Sequence, residues 1–339
     1  MQYNNILIIK LSAIGDVIHA LPVAHALKKC NPKAHITWVV EKPAYDLLTN
    51  NSDIDEIILF EKPKFKTLKG LLKNLPGFAR ILRRQKFDLV IDLQGLFKSA
   101  AIAWLTGAPS RIGYCNMREL SSLVSTPVCG KHCEGHVVDR YLDVPRHLGC
   151  TVDEVVFPVN ITELEAWQTE QIAAEAGLDM SNPYVVLAPG TNWASKCWPT
   201  AHFAILTDLL WSDGIIPVVS GGLADAPSAQ EISALAKKPP LNVTGKTSLK
   251  HLAYLLKKAK AFVGGDTGPM HLAVAVGCPV VTMFGPTDPA RNGPYCGNNI
   301  VLEPDRNCLH CWEKSCDKDC LAVIDPYTVF AAVRSVMKS

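Results

Sequence analysis

No stretch of the 339-residue chain approaches eighteen consecutive apolar residues, so no segment is expected to span a membrane. The apolar N-terminal stretch is broken by Lys10, Asp16 and His19, and no small-residue cleavage site follows it, so it lacks the pattern of a signal peptide. Excess charge is missing too. With 34 Lys and Arg against 32 Asp and Glu, the net charge is +2, and the whole-chain balance gives no reason to expect nucleic acid as a partner. Two glycine-rich nucleotide fingerprints are absent. The first turn, Lys10-Leu-Ser-Ala-Ile-Gly15, has a single glycine and does not match G-x-G-x-x-G, which argues against a dehydrogenase; no Walker A sequence occurs. The twelve cysteines lack the spacing of a small disulfide framework. Eight are scattered over residues 1–296 and four cluster near the end, as expected of an α/β chain in a reducing cytoplasm.

What is present is a globular composition, 48% apolar and 19% charged, in a chain long enough for two cores. Short apolar runs alternate with helical spacing. Ile6–Ile9, His35–Val40, Ile57–Phe60 and Asp88–Asp92 have strand character, and Arg111–Gly113 closes a first half. A polar helix from Glu163 to Ala176 bridges to a second alternation that starts at Tyr184–Ala188. The expected fold is α/β, with two Rossmann-like parallel-sheet domains facing across a cleft. The expected domains are residues 1–158 and 159–325, with a last helix in 326–339 crossing back to the first.

The most informative stretch is Phe262-Val-Gly-Gly-Asp-Thr-Gly-Pro-Met-His271. Its composition suits a buried strand, a glycine turn and a helix start, with Asp266 or Thr267 capping and Pro269 in the first turn. The free N–H groups of that turn would accept a phosphate, with His271 one turn on. An ordinary strand-to-helix turn has the same composition. Asp16 follows the first strand, where it can act as a base toward a substrate hydroxyl or simply be a first-turn acid. Ser12, Gly15 and His19 share that region. The loop Pro189–Pro199 holds Thr191, Asn192 and Lys196, and the lysine could offset the charge of a leaving diphosphate.

Asp53-Ile-Asp55 and Asp317-Lys-Asp319 match the D-x-D of metal-dependent transferases, but the first precedes a strand and the second lies in the Cys-rich tail; no metal ligand is assigned. Cys308, Cys311, Cys316 and Cys320 have the count of a zinc site with tighter spacing than paired knuckles, which also suits a loosely packed loop. Between Lys62 and Lys86 stand nine basic residues and no acid, interleaved with apolar ones. Such a segment can lie on an anionic membrane, or bury one face and solvate the other. Pro76-Gly77 is expected to divide it into two short helices.

Taken together, Ile8–Pro22, Val90–Ser99, Arg111–Gly113, Pro189–Pro199 and Gly264–His271 through Gly285-Pro-Thr287 resemble glycosyltransferase family 9, the lipopolysaccharide heptosyltransferases, and among them heptosyltransferase I more than II. The resemblance implies a two-Rossmann (GT-B) enzyme that moves heptose from ADP-heptose to a Kdo residue of a Kdo-lipid A type acceptor, with inversion and without an essential cofactor or metal. It implies Asp16 as catalytic base. Thr191, Asn192, Lys196, Asp266, Thr267, Gly268 and His271 would hold the donor, and Lys98 would lie on the acceptor side. The family's acid near the donor ribose has only Asp225 as a counterpart. A peripheral position on the cytoplasmic face of the inner membrane follows from residues 62–86. Another nucleotide-sugar on the same fold, or a non-catalytic nucleotide-binding or zinc-structured protein, are the alternatives.

Overall fold

Ile6 to Ile9 is apolar at every position, so both faces of the segment must be buried. A strand inside a parallel sheet covered by helices achieves this. In the computed structural model, which describes residues 2–305 and 308–338, these residues form β1 (Asn5–Ile9), and all four are 0% exposed.

The chain divides into two compact units, Met1–Asn160 and Ile161–Ser339. In chain order the first contains β1, α1 (Ile14–Cys30), β2 (His35–Val40), α2 (Lys42–Leu48), β3 (Glu56–Leu59), α3 (Leu68–Arg84), β4 (Leu89–Asp92), α4 (Phe97–Leu105), β5 (Ser110–Tyr114), β6 (Thr126–Val128) and α5 (Val137–His147). Its sheet runs β3-β2-β1-β4-β5-β6, parallel throughout. On one face Leu7, Ile9, Val39 and Val90 pack with Phe78 and Leu82 of α3 and Ile102 and Ala103 of α4.

The second unit contains α6 (Glu163–Glu175), β7 (Tyr184–Ala188), α7 (Thr200–Ser212), β8 (Ile216–Val219), α8 (Ala226–Leu235), β9 (Leu241–Asn242), α9 (Leu249–Lys258), β10 (Ala261–Gly265), α10 (Gly268–Ala275), β11 (Val280–Met283), α11 (Pro289–Asn292), β12 (Asn299–Leu302) and α12 (Pro326–Val336). Its sheet, also parallel, runs β12-β11-β10-β7-β8-β9. Counted in each unit's own chain order, both sheets are 3-2-1-4-5-6. That is the doubly wound order, whose ligand position lies outside the carboxyl ends of the first and fourth strands.

Several expectations change. Arg111–Gly113 does not close the first half: β6 and α5 follow, and α5 packs along α1. The alternation Val137, Val138, Tyr141, Leu142, Val144 carries that helix through Pro145. Residues 68–84 are one helix despite Pro76. Pro76 and Leu72 are both exposed there, so the carbonyl that loses its donor can be solvated. In the last helix Val329, Ala332, Val333 and Val336 join Leu206, Leu210, Val263 and Val281 in the core of the second unit. Cys115 and Cys129, just beyond the ends of adjacent β5 and β6, are joined by a disulfide, their Cα atoms 4.6 Å apart, whereas the sequence suggested reduced thiols. Among the described residues no helix is long and apolar enough to cross a membrane.

Candidate active site

In each unit the loops leaving the first and fourth strands carry most of the sequence candidates. In the first unit, β1 runs through Lys10–Ala13 into α1. Asp16 is the third residue of that helix, and its Oδ2 accepts the Ala13 N–H at 3.2 Å. It is therefore a first-turn acid, as the helix dipole favours, and its side chain remains 45% exposed. Lys10 Nζ lies 3.9 Å from Asp16 Oδ2. That ammonium is buried and donates to Leu93 O at 3.1 Å and Tyr141 Oη at 2.8 Å. Gly15 and His19 are buried in α1, and Ser12 is half-buried in the loop.

The fourth strand ends at Asp92, whose carboxylate accepts the N–H groups of Gln94 and Gly95 at 3.0 and 2.9 Å and the Ser99 hydroxyl at 2.9 Å. Burial pushes the Asp92 carboxyl up, against these hydrogen bonds and the charge of Lys10. The brace presents Gln94, whose Oε1 accepts the N–H groups of Leu11 and Ser12 at 2.9 and 3.1 Å. The two loops are thus tied together. Lys98, in the first turn of α4, pairs with Glu41 Oε1 at 2.7 Å, so a charged partner already holds it on this side. Close by, Tyr114 meets Tyr141 edge-on at 5.1 Å, and burial pushes its phenol up to about 12.

In the second unit, β7 leads into the loop 189–199 and β10 into Asp266. Lys196 Nζ pairs with Asp266 Oδ2 at 2.5 Å and stands over the Trp193 ring at 4.3 Å. His271 Nε2 is 3.4 Å from Asp266 Oδ1, and the Thr287 hydroxyl donates to Oδ2 at 2.8 Å. Burial pushes the Asp266 carboxyl up, but the contacts with His271 and Lys196 outweigh it and hold it well below the usual carboxylate range. Thr267 is the N-cap of α10 and makes no side-chain cap, and Pro269 brings no N–H. The first-turn donors of α10, that of Gly268 among them, therefore have no capping side chain. Thr191 Oγ1 donates to Trp193 O at 2.5 Å, shaping the loop, and Asn192 is exposed.

Gly264 and Gly265 do not form the expected turn; they end β10 as extended residues. Gly265 is needed for close approach of another kind: a Cβ there would stand 2.8 Å from Lys196 O. Asp225, after β8, lies so near that a Cβ on Gly190 would overlap its carboxylate at 1.9 Å, and it accepts the Gly222 N–H at 2.8 Å. This places an acid outside the carboxyl end of the second strand, next to the loop that carries Lys196.

The D-x-D candidate of the first unit is committed elsewhere. Asp53 contacts His25 Nδ1 at 2.9 Å, and Asp55 pairs with Lys28 and takes the Ile36 N–H, both at 2.7 Å. Among the described residues no three His, Cys, Asp or Glu side chains are gathered to hold a metal, Cys308, Cys311, Cys316 and Cys320 included. The Cys-rich segment instead lies along the loop 189–199 and the turn after β11. His310 and Trp312 donate to Gly285 O and Pro286 O, each at 2.8 Å, and Ser195 Oγ donates to Glu313 O at 2.6 Å.

Residues the sequence reading did not single out are Lys10, Glu41, Asp92, Gln94, Tyr141 and His136. Lys10, Asp92 and Gln94 stood inside quoted stretches without a partner to suggest their use. Tyr141 belongs to α5 and His136 is its N-cap; the apolar periodicity of that helix was the available signal.

Comparison with known proteins bears on the family and the fold. The model of glycosyltransferase family 9 (heptosyltransferase) matches residues 77–322. Lipopolysaccharide heptosyltransferase 1 of Pseudomonas aeruginosa is 29% identical over 321 residues, covering 92% of this chain and 87% of that one. The crystal structure of a family 9 glycosyl transferase from Veillonella parvula superposes with a TM-score of 0.88 at 27% identity, covering 99% and 97% of the two chains. That of the E. coli heptosyltransferase WaaC with ADP does so with a TM-score of 0.78 at 24% identity, covering 98% and 99%, a likeness of fold.

Proposed function

The chain belongs to glycosyltransferase family 9, a heptosyltransferase family of lipopolysaccharide core assembly, and from that premise we propose that it moves heptose from ADP-heptose to a Kdo residue of a Kdo-lipid A type acceptor, with inversion. One observation carries the donor side. Lys196 and His271 converge on Asp266 beside the uncapped start of α10, so an ammonium, an imidazole and N–H donors gather where a diphosphate would lie.

In this reading Asp16 accepts the proton of the acceptor hydroxyl as its oxygen attacks the anomeric carbon. The departing ADP takes the bonding electron pair from the opposite side of the sugar. Lys196 and the N–H groups at Thr267 and Gly268 stabilise the charge that develops on its phosphate. Asp266 orients Lys196 and His271 for that task, with Thr287 fixing the carboxylate. Asp225 is the acid we assign to the ribose hydroxyls, being outside the second strand of a doubly wound sheet. Lys98, with Glu41, and Ser12 belong to the acceptor side.

The test is mass spectrometry of a Kdo-lipid acceptor incubated with ADP-heptose and the purified protein. A gain of one heptose is the expected result. Transfer from another nucleotide-sugar alone would replace the donor assignment, and no transfer from any would overturn the enzyme reading.

We also place the protein at the cytoplasmic face of the inner membrane, bound peripherally. α3 leaves Leu68 and Leu72 more than two-thirds exposed, beside Lys69 and Lys73 and one end rich in Arg80, Arg83 and Arg84. An outward face of mixed leucine and cations suits anionic headgroups over an acyl boundary. Charge reversal at Lys69, Lys73, Arg83 and Arg84 is expected to abolish salt-sensitive flotation with anionic liposomes; unchanged flotation would remove the membrane assignment.

A further inference from the structure

Lys10 stands where β1 hands over to the loop before α1, and its side chain is buried. A buried ammonium costs stability unless other groups take up its charge. Two oxygens do part of this: Nζ donates to Leu93 O at 3.1 Å and to Tyr141 Oη at 2.8 Å. The Tyr141 ring centroid lies 5.0 Å from the same nitrogen. The carboxylate oxygen within ion-pair reach of Nζ is Oδ2 of Asp16, at 3.9 Å.

That oxygen also accepts the Ala13 N–H at 3.2 Å. Both contacts of the Asp16 carboxylate therefore fall on Oδ2. Among the described residues no hydrogen bond or ion pair falls on Oδ1, and nearly half of the side chain is open to solvent. A carboxylate held at one oxygen and open at the other offers a defined atom to a proton donor. The lysine is itself held from two sides. Leu93 lies in the connection between β4 and α4, next to Gln94, whose Oε1 accepts the N–H groups of Leu11 and Ser12. Tyr141 lies on α5, which packs along α1. Nζ cannot drift from Asp16 without breaking contacts to both neighbours.

We propose that Lys10 is a positioning residue: held by Leu93 O and Tyr141 Oη, it fixes Oδ2 of Asp16 so that Oδ1 takes the proton of the acceptor hydroxyl. The pair of the O–H bond stays on the acceptor oxygen, which forms the new bond to the anomeric carbon, and the pair of the bond to the diphosphate leaves with ADP. The inference rests on Asp16 being the base, as read above, and deepens that reading by naming the group that aims it.

The experiment assays the full chain with ADP-heptose and a Kdo-lipid acceptor. Lys10→Met keeps the side-chain bulk and removes the charge and the N–H groups. Its kcat is expected to fall roughly 10–10²-fold, the scale of a misaimed catalytic group, with both KM values as in the wild type. Lys10→Arg, which keeps a cation with donors, should recover part of kcat. In an Asp16→Asn background Lys10→Met should lower the residual rate no further, because the lysine acts through that carboxylate. A wild-type kcat in Lys10→Met overturns the proposal, even with a lowered Tm, which would make the lysine a packing group. So does an equal further loss in the Asp16→Asn background, or a rise in either KM with kcat intact. If Lys10→Met does not fold, Tyr141→Phe decides: it keeps the ring and the ammonium, loses only the hydroxyl, and should lower kcat about threefold or more at unchanged KM. A wild-type kcat there overturns the proposal. Asp16→Asn with wild-type kcat would overturn the base assignment itself, whereas a large fall in Asp16→Asn beside an unchanged Lys10→Met overturns only the part given to the lysine.

Discussion

Asp92 ends the fourth strand of the first unit and Asp266 directly follows the fourth strand of the second, so the two occupy matching places in matching sheets. Both are buried, at 0% and 9% exposure. Their surroundings set them apart. Asp92 is met by two backbone N–H groups and a serine hydroxyl, which do not recover what burial costs the charge, and its carboxyl is pushed up. Asp266 is met by Lys196 and His271, which more than recover it, and its carboxyl is held down. One topological position therefore serves two ends. In the first unit it braces a loop so that Gln94 can hold residues 11 and 12 ahead of Asp16; in the second it gathers Lys196 and His271 beside the start of α10.

If the first unit handles the acceptor and the second the donor, the largest effect is expected from Asp16→Asn. Its kcat should fall by roughly 10²–10⁴, while ADP affinity measured by calorimetry stays as in the wild type. Weakened ADP binding would break the division of labour. Lys196→Ala should act on the other side, lowering kcat about 10²-fold and raising the ADP-heptose KM, with the acceptor KM unaltered; wild-type values of both kcat and donor KM would remove the lysine from the phosphate role.

The smallest effects are on stability, and they sharpen the comparison because the signs are opposite. Asp266 is depressed in the folded state, so its contribution is complete above the unfolded carboxyl value, about 4, and is lost as pH falls further toward its folded value. Asp266→Asn should cost about 3 kcal/mol at neutral pH, the scale of a broken buried pair, and should flatten the acid limb of the urea midpoint. Asp92 is raised, so its ionised form costs stability above its folded value, and that cost disappears as pH falls toward about 4. Asp92→Asn should therefore remove a pH dependence of the reverse slope. Parallel acid limbs for the two variants would contradict the contrast.

Much of the frame was legible. Runs such as Ile6–Ile9 and Tyr184–Ala188 are apolar on both faces and leave little but a buried parallel strand; Asp266 follows its strand directly, and Asp16 and Lys196 lie in the connections that follow theirs. Elements with weaker signals were not legible. β6 and β12 are short edge strands, and α5 hides behind an interior proline. The break expected at Pro76 shows the opposite error, a local penalty that an exposed turn absorbs.

Sequence alone determined the alternation of strand and helix, because apolar period and chain length admit few other arrangements, and it put the chemically capable residues at strand ends. Pairing was decided only in three dimensions. That Lys196 belongs to Asp266, seventy residues on, Lys98 to Glu41, and Lys10 to Tyr141 depends on which loops the doubly wound order brings side by side. Charge at a single position says nothing of its partner, and the partner decides whether a buried carboxylate braces a loop or pairs with a lysine and a histidine.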